Sequence, residues 1–132
     1  MIKLQRVLPA EIEKRSFEMI GEELKEQGIV LDPVNEPVIK RAIHTSADFE
    51  YANALVFSEN VVENIVELFK NKEENITIVT DTNMAKAGVN KAICGKLGVE
   101  VKCFMSDQDV AEAAKINGTT RAVASMAKAA TI

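Results

Sequence analysis

The spacing of apolar residues predicts helices in the first part of the chain. Pro9 suits the first turn of a helix and Gly28 suits its end, so we expect one helix over Ala10–Gln27. Its apolar positions form one arc on a helical wheel, and Ser16 falls near the middle of that arc. A second helix is predicted to begin at Pro37.

Two further helices are predicted before the character of the sequence changes. Ser46 or Asp48 could cap a separate helix over Phe49–Leu55, although a bent continuation of the preceding helix fits the pattern equally well. Ser58 precedes an amphipathic segment whose apolar residues lie on one helical face, namely Val61, Val62, Ile65, Val66 and Phe69.

Two short segments in the second part are predicted to be strands. Ile76–Thr80 is β-branched throughout and is bounded by Asp81, and Val99–Phe104 is the second predicted strand. Helices are predicted around these strands over Thr82–Ala87, Val110–Ile116 and Arg121–Ala130. A strand, a helix and a second strand at this spacing indicate a parallel unit.

The predicted fold class is therefore α/β, a single domain over residues 1–132 with a parallel sheet between helices on both faces. Two parallel strands rarely form a stable sheet alone. The β-branched pair Thr131-Ile132 resembles the start of a third strand. We therefore expect the sheet to be incomplete in this chain, and to be completed by a partner or by further sequence.

Composition narrows the class of protein. Of the 132 residues, 47% are hydrophobic and 5% aromatic, which predicts one aliphatic core. A net charge of −4 gives no support for nucleic-acid binding. We find no apolar run long enough to span a bilayer, no signal peptide at Met1–Val7 and no disulfide scaffold in two cysteines. These features predict a soluble cytoplasmic domain.

Two side chains of the helical part are candidates for chemistry. His44 is the single histidine and lies away from the apolar arc of its helix. It is either an exposed polar residue or a proton donor or acceptor. The Ser16 hydroxyl, among apolar neighbours, needs a partner. It would bond the carbonyl one turn earlier, or a ligand.

The candidate ligand-binding residues in the second part of the chain lie at the predicted starts of helices. Asp81 and Thr82 follow the first strand, where a ligand crevice is expected. Asp81 could equally well cap a helix, and both could hold at once. Thr120 and Arg121 open the last helix, where backbone N–H groups and a guanidinium could bind a carboxylate or phosphate. The alternative is a threonine cap and a solvated stripe of Arg121, Ser125 and Lys128. The sequence contains neither a nucleotide-binding fingerprint nor a zinc signature.

Together these segments resemble the precorrin-8X methylmutase family, also called cobalt-precorrin-8 methylmutase, of cobalamin biosynthesis. The matching segments, in the same order over nearly the whole chain, are Ile12-Glu13-Lys14-Arg15-Ser16-Phe17, Arg41-Ala42-Ile43-His44-Thr45-Ser46-Ala47-Asp48-Phe49, Val56-Phe57-Ser58, Asp81-Thr82-Asn83-Met84-Ala85-Lys86-Ala87-Gly88-Val89 and Gly118-Thr119-Thr120-Arg121-Ala122.

The resemblance implies an isomerase that moves a methyl group between neighbouring carbons of a corrin precursor. It implies no organic cofactor and no metal site, with cobalt present only as part of the substrate. His44 would be the proton donor. The family is a homodimer with sites near the subunit interface, and its substrate is a macrocycle with several carboxylates. The substrate-binding residues would be Arg15, Ser16, Thr45, Asp81, Thr82, Thr120 and Arg121.

One departure from the family pattern opens an alternative. Family members continue with another strand and a Gly-Asn-Ala-Pro-Thr-Ala motif, and this chain ends before that motif. We therefore expect the N-terminal portion of a methylmutase, truncated or naturally short. The rival hypothesis is a non-catalytic tetrapyrrole-binding or oligomerising module, and an unrelated α/β small-molecule enzyme ranks last.

Overall fold

The computed structural model describes residues 7–71 and 75–131, and contacts divide the chain into two compact units, Met1–Asn64 and Ile65–Ile132. Most of the segment Met1–Val7, where we find no signal peptide, lies outside the described residues. Thr131 lies in a turn after the last helix, and Ile132, the second residue of the expected third strand, is likewise outside them. Each unit is described by itself.

Two helices form the framework of the first unit. Helix α1 spans Pro9–Glu26 and α2 spans Glu36–Ser46, each with a proline in its first turn as the sequence predicts. The chain leaves α1 through Gly28 at a φ of 72°, a left-handed conformation that favours glycine. Both predicted ends of α1 and the predicted start of α2 are confirmed to within one residue.

The core of the first unit lies between α1 and α2. It is aliphatic and consists of Ile20, Leu24, Ile39 and Ile43, all buried. Burying one such side chain contributes about 1.5–3 kcal/mol. This packing brings a polar edge of α1 against a polar edge of α2, and it is there that the candidate site lies.

A left-handed residue decides between the two predicted continuations of α2. Ala47 has a φ of 57°, which ends the helix, so the bent continuous helix is wrong. The backbone N–H of Glu50 then donates to Asp48, and the short helix α3 spans Tyr51–Ala54. Helix α4 spans Val61–Lys70.

The second unit contains a parallel two-stranded sheet. Strand β1 spans Thr77–Val79 and β2 spans Glu100–Lys102, with Thr77 opposite Glu100. The crossover between them holds α5, Asn83–Gly88, and α6, Lys91–Leu97. The predicted α/β class with a parallel sheet is confirmed, whereas α6 is absent from the prediction.

Two packed helices complete the second unit. Helix α7 spans Gln108–Ile116 and α8 spans Arg121–Ala129. Their core consists of Val110, Ala114 and Ala124, with Phe104 packed against it. Among the residues described, no helix is both long and apolar enough to cross a membrane.

Candidate functional site

The centre of the candidate site is a hydrogen bond between two helices. Ser16 Oγ on α1 lies 2.7 Å from His44 Nδ1 on α2, although the residues are 28 positions apart in the sequence. Both side chains are half-buried. The Ser16 hydroxyl therefore meets the imidazole and not the carbonyl one turn earlier, and its contact with a ligand stays a prediction.

An open cavity lies beside this pair. Its volume is about 460 Å³, and most of its wall is apolar. Ser16 and His44 line it together with Ile12, Met19, Ile20, Ile43, Ala47 and Phe49, and Arg15 and Glu23 supply charges. The arrangement can hold an apolar part of a ligand against the imidazole of His44.

The imidazole of His44 also contacts an aromatic side chain of α1, which an arginine of α2 covers in turn. The Phe17 ring meets the His44 ring edge-on, with centroids 5.9 Å apart. The Arg41 guanidinium lies 4.9 Å from the centre of the Phe17 ring. Arg41 also donates two hydrogen bonds to the Glu13 carboxylate, at 2.7 and 2.8 Å. The position of the imidazole therefore depends on α1 as well as on its own helix.

The pair of Arg41 and Glu13 is electrostatically coupled. The hydrogen bonds from Arg41 hold the pKa of the Glu13 carboxyl below its ordinary value, and Glu13 in turn raises the pKa of Arg41. Sequence reasoning missed Glu13, Phe17 and Arg41 as supporting residues. Their spacing matches helical faces, but the sequence carries no signal for which side chain of α1 meets which side chain of α2.

The other predicted residues of the first unit lie in different places. Arg15 is exposed and lines the cavity beside Ser16. Thr45 is also exposed, but its hydroxyl donates to the carbonyls of Arg41 and Ala42. The structure thus brings Arg15, Ser16 and His44 together, and leaves Thr45 bonded to its own helix.

In the second unit, the predicted residues occupy helix starts. Thr82 accepts a hydrogen bond from the backbone N–H of Ala85 at 3.1 Å, and Asp81 beside it is exposed. Thr120 caps α8 by accepting from the N–H of Val123 at 3.2 Å. The helix cap expected from Asp81 is made by Thr82 instead, whereas the threonine cap expected at the start of α8 is confirmed. The binding roles of these residues stay predictions.

Helix α8 begins with an exposed cation, and the polar side chains that follow it differ in exposure. Arg121 is exposed at its first residue. The expected solvated stripe does not form, because Ser125 is fully buried and Lys128 binds Asp107 and Asp109 at 2.7 and 2.8 Å. In the described ranges, no cluster of three His, Cys, Asp or Glu side chains could hold a metal ion.

The fold and the cavity define a class of protein: an α/β protein with a hydrogen-bonded histidine at the wall of a mainly apolar cavity. A sequence model of precorrin-8X methylmutase matches residues 11–132, and the chain belongs to that family. The predicted family resemblance is confirmed.

Relatives with known names agree with this assignment. Cobalt-precorrin-8 methylmutase of Priestia megaterium is 38% identical over 93% of this chain and 52% of its own length. The enzyme of the same name from Salmonella typhimurium is 36% identical over 89% of the chain and 56% of its own length. The chain therefore spans about half the length of the curated relatives it matches.

Solved structures show the same fold. A precorrin-8X methyl mutase from Thermus thermophilus aligns with a TM-score of 0.71 and 31% identity, over 91% of this chain and 55% of that one. A precorrin-8X methylmutase related protein aligns with a TM-score of 0.66 at 24% identity, over 86% of this chain and 56% of that one.

Proposed function

We propose that this chain carries the acid–base part of a methylmutase that isomerises precorrin-8X or cobalt-precorrin-8 in cobalamin biosynthesis. The observation that carries the proposal is the placement of His44, half-buried and hydrogen-bonded at the wall of a mainly apolar cavity. Family membership supplies the substrate class, a corrin precursor with several carboxylates, and the product, hydrogenobyrinate or cobyrinate.

The proposed reaction needs no net gain or loss of atoms. His44 donates a proton to the bound macrocycle, a methyl group moves between neighbouring ring carbons, and the proton returns to the imidazole. The acid must lie against the macrocycle and exchange its proton near neutral pH, which is the property of an imidazole. No organic cofactor enters this scheme, and cobalt enters only as part of the substrate.

Two exposed arginine side chains, one at the cavity and one at the start of α8, would bind the carboxylates. Arg15 at the cavity and Arg121 at the start of α8 are exposed cations, each without an ion pair in the described ranges. Thr45, Thr120 and the Asp81-Thr82 pair would complete the substrate contacts. We further propose that residues 1–132 act as one domain in a cytoplasmic homodimer.

Replacement of His44 tests the acid role. The full chain is titrated with hydrogenobyrinate or cobyrinate under visible absorbance, and turnover of the corresponding precursor is then measured. We expect wild-type protein to bind and turn over, and His44→Ala to abolish turnover while product affinity changes little. Glu22→Gln, an exposed change on α1 away from the cavity lining, is the matched control and should keep both.

Three outcomes would contradict parts of the proposal. Unchanged turnover in His44→Ala would remove the acid role. Binding without turnover by the wild-type chain would favour the non-catalytic tetrapyrrole-binding module. Absence of binding would show that this chain does not form the corrin site by itself, whereas the family assignment rests on the sequence match.

A further inference from the structure

The α1 side of the cavity carries two opposite charges with a mainly apolar stretch between them. Arg15 and Glu23 both line the cavity and are eight residues apart, which corresponds to about 12 Å along the helix axis. Between them, α1 lines the cavity with Ser16, Met19 and Ile20, and Met19 is 60% exposed. These positions share one helical face. A ligand in the cavity therefore meets a cation toward one end and a carboxylate toward the other.

Both charges are available to a ligand. In the described part of the chain, neither Arg15 nor Glu23 makes an ion pair, and the Glu23 carboxylate accepts one hydrogen bond, from the Gln27 amide at 2.9 Å. An amide carries no charge, so it does not neutralise the carboxylate. Glu11 and Glu18, which are close to Arg15 on the helix, line a neighbouring space and not this cavity.

We propose that Glu23 is a specificity-determining residue that keeps carboxylates of the substrate away from its end of the cavity. The identity of this ligand, a macrocycle with several carboxylates, rests on the proposed function. A cavity of about 460 Å³ has the size of a site for a smaller molecule, so the macrocycle enters it by one edge. Attraction by Arg15 and repulsion by Glu23 favour the same orientation of that edge, with a carboxylate at Arg15.

The orientation matters because the imidazole lies toward the Arg15 end. Its partner Ser16 follows Arg15 directly in the sequence, whereas Glu23 begins about two helical turns further on. An edge bound in the reverse sense would therefore present different ring carbons to His44. Glu23 opposes that reversed complex by like-charge repulsion, without contacting the reacting atoms.

Glu23 can be replaced without disturbing the packing of α1 on α2. The residue is exposed, and Gln27, its hydrogen-bond partner, lies on the same helix. An exposed pair of this kind contributes only about 0.2–0.5 kcal/mol to a helix. Glu23→Gln keeps the size of the side chain and removes its charge, so its effect on binding reports the charge.

Two probes of one shape test the charge preference without a corrin. Pyrenebutyrate joins a flat apolar ring system to one carboxylate, and pyrenebutanol carries a neutral hydroxyl in its place. Each is titrated into the full chain by fluorescence, and NMR signals of the His44 ring, the single histidine, report occupancy of this cavity. For pyrenebutyrate, Arg15→Gln should raise the Kd and Glu23→Gln should lower it, each about two- to fivefold. The Kd of pyrenebutanol should not change.

The matched control removes the neighbouring negative charge. Glu22 is exposed on α1 and does not line the cavity, so Glu22→Gln should leave both Kd values unchanged at about 0.15 M salt, where exposed charges are screened beyond about 8 Å. Equal tightening of pyrenebutyrate in Glu22→Gln and Glu23→Gln would overturn the role of Glu23, as would an unchanged Kd in Glu23→Gln. His44 ring signals that respond to neither probe would overturn the cavity as the binding place.

Kinetics test the orientation of the substrate itself. In a preparation with methylmutase turnover, Glu23→Gln should admit the reversed complex, which binds without reacting. Such binding lowers kcat and KM by the same factor and leaves kcat/KM unchanged. Unchanged kcat and KM, or a loss of kcat/KM, would overturn the orienting role. Since the pyrene titrations need neither a corrin nor turnover, failure of the proposed enzymatic function is distinguishable from failure of this proposal.

Discussion

At the scale of single residues, the ion pair of Glu13 and Arg41 predicts a specific response to acid. Arg41 holds the folded-state pKa of Glu13 below the ordinary value of 4.5, so the contribution of Glu13 to stability is present above that value. It is lost as the pH falls through the lower folded-state pKa. We expect Glu13→Gln to be slightly less stable than wild type at neutral pH and to lose that difference in acid, as measured by thermal unfolding between about pH 7 and pH 3.

A matched variant distinguishes the effect of the ion pair between Glu13 and Arg41 from the general effect of removing one negative charge. Glu22 on the same helix is exposed and makes no ion pair among the described residues, so Glu22→Gln should follow the wild-type curve in shape. If the melting temperatures of Glu13→Gln and wild type ran parallel throughout the acid range, Arg41 would not be coupled to this carboxylate.

What the sequence could predict at this scale was the identity of the candidates, not their contacts. His44 was identifiable because it is the single histidine, and Ser16 because a hydroxyl lay within an apolar arc. Their hydrogen bond depends on how α1 packs against α2. That packing is decided by Ile20, Leu24, Ile39 and Ile43 together, and a helical wheel treats each helix alone.

At the scale of elements, the cap of α8 predicts a measurable loss of stability. The Thr120 side chain accepts from the N–H of Val123, and a helix start without its cap loses about 1 kcal/mol. We expect Thr120→Ala to lower the free energy of unfolding by that amount, as measured by urea denaturation with circular dichroism.

The preceding threonine is the control for that substitution. Thr119 lies one residue outside the cap, and in the described part of the chain its side chain makes no hydrogen bond, although its N–H donates to the carbonyl of Ala114. Thr119→Ala should therefore cost clearly less. Equal losses in the two variants would show that the hydroxyl of Thr120 does not stabilise α8.

The extent of the elements was only partly predictable. Helix α6 has an Asn90 cap and a left-handed Gly98 that the sequence displays, but its seven residues are too few for a convincing apolar period. Each strand has three paired residues, fewer than the segment that was predicted to form it. Pairing ends where the partner strand ends. Local pattern therefore predicts that a strand exists better than it predicts its length.

At the scale of the whole molecule, the sheet predicts association. Strands β1 and β2 pair only with each other in the described ranges, so each has an unpaired edge. The backbone groups of such an edge can form hydrogen bonds with a strand of another chain. Together with the homodimer implied by the family, this predicts a dimer or larger oligomer by sedimentation velocity, with at least twice the 14.5 kDa mass of one chain. A monodisperse monomer over the whole accessible concentration range would contradict the prediction.

The family assignment shows where physical reasoning from the sequence stops. Composition and periodicity predicted an aliphatic α/β protein, which many unrelated activities share. The order of five short segments, from the one at Ser16 to the one at Arg121, identified the family. No rule of helix or strand formation requires those residues in that order, so the function came from resemblance and not from the fold.

The separation of 28 residues between Ser16 and His44 also bears on the order of events during synthesis. The hydrogen bond needs only the first 44 residues, and the core around it is completed by side chains up to Phe57. The sheet, in contrast, must wait for Lys102. Contacts that are close in sequence form quickly, and N-terminal parts fold first as a chain emerges from the ribosome. The hydrogen bond between Ser16 and His44 can thus form while the strands of the sheet are still being translated.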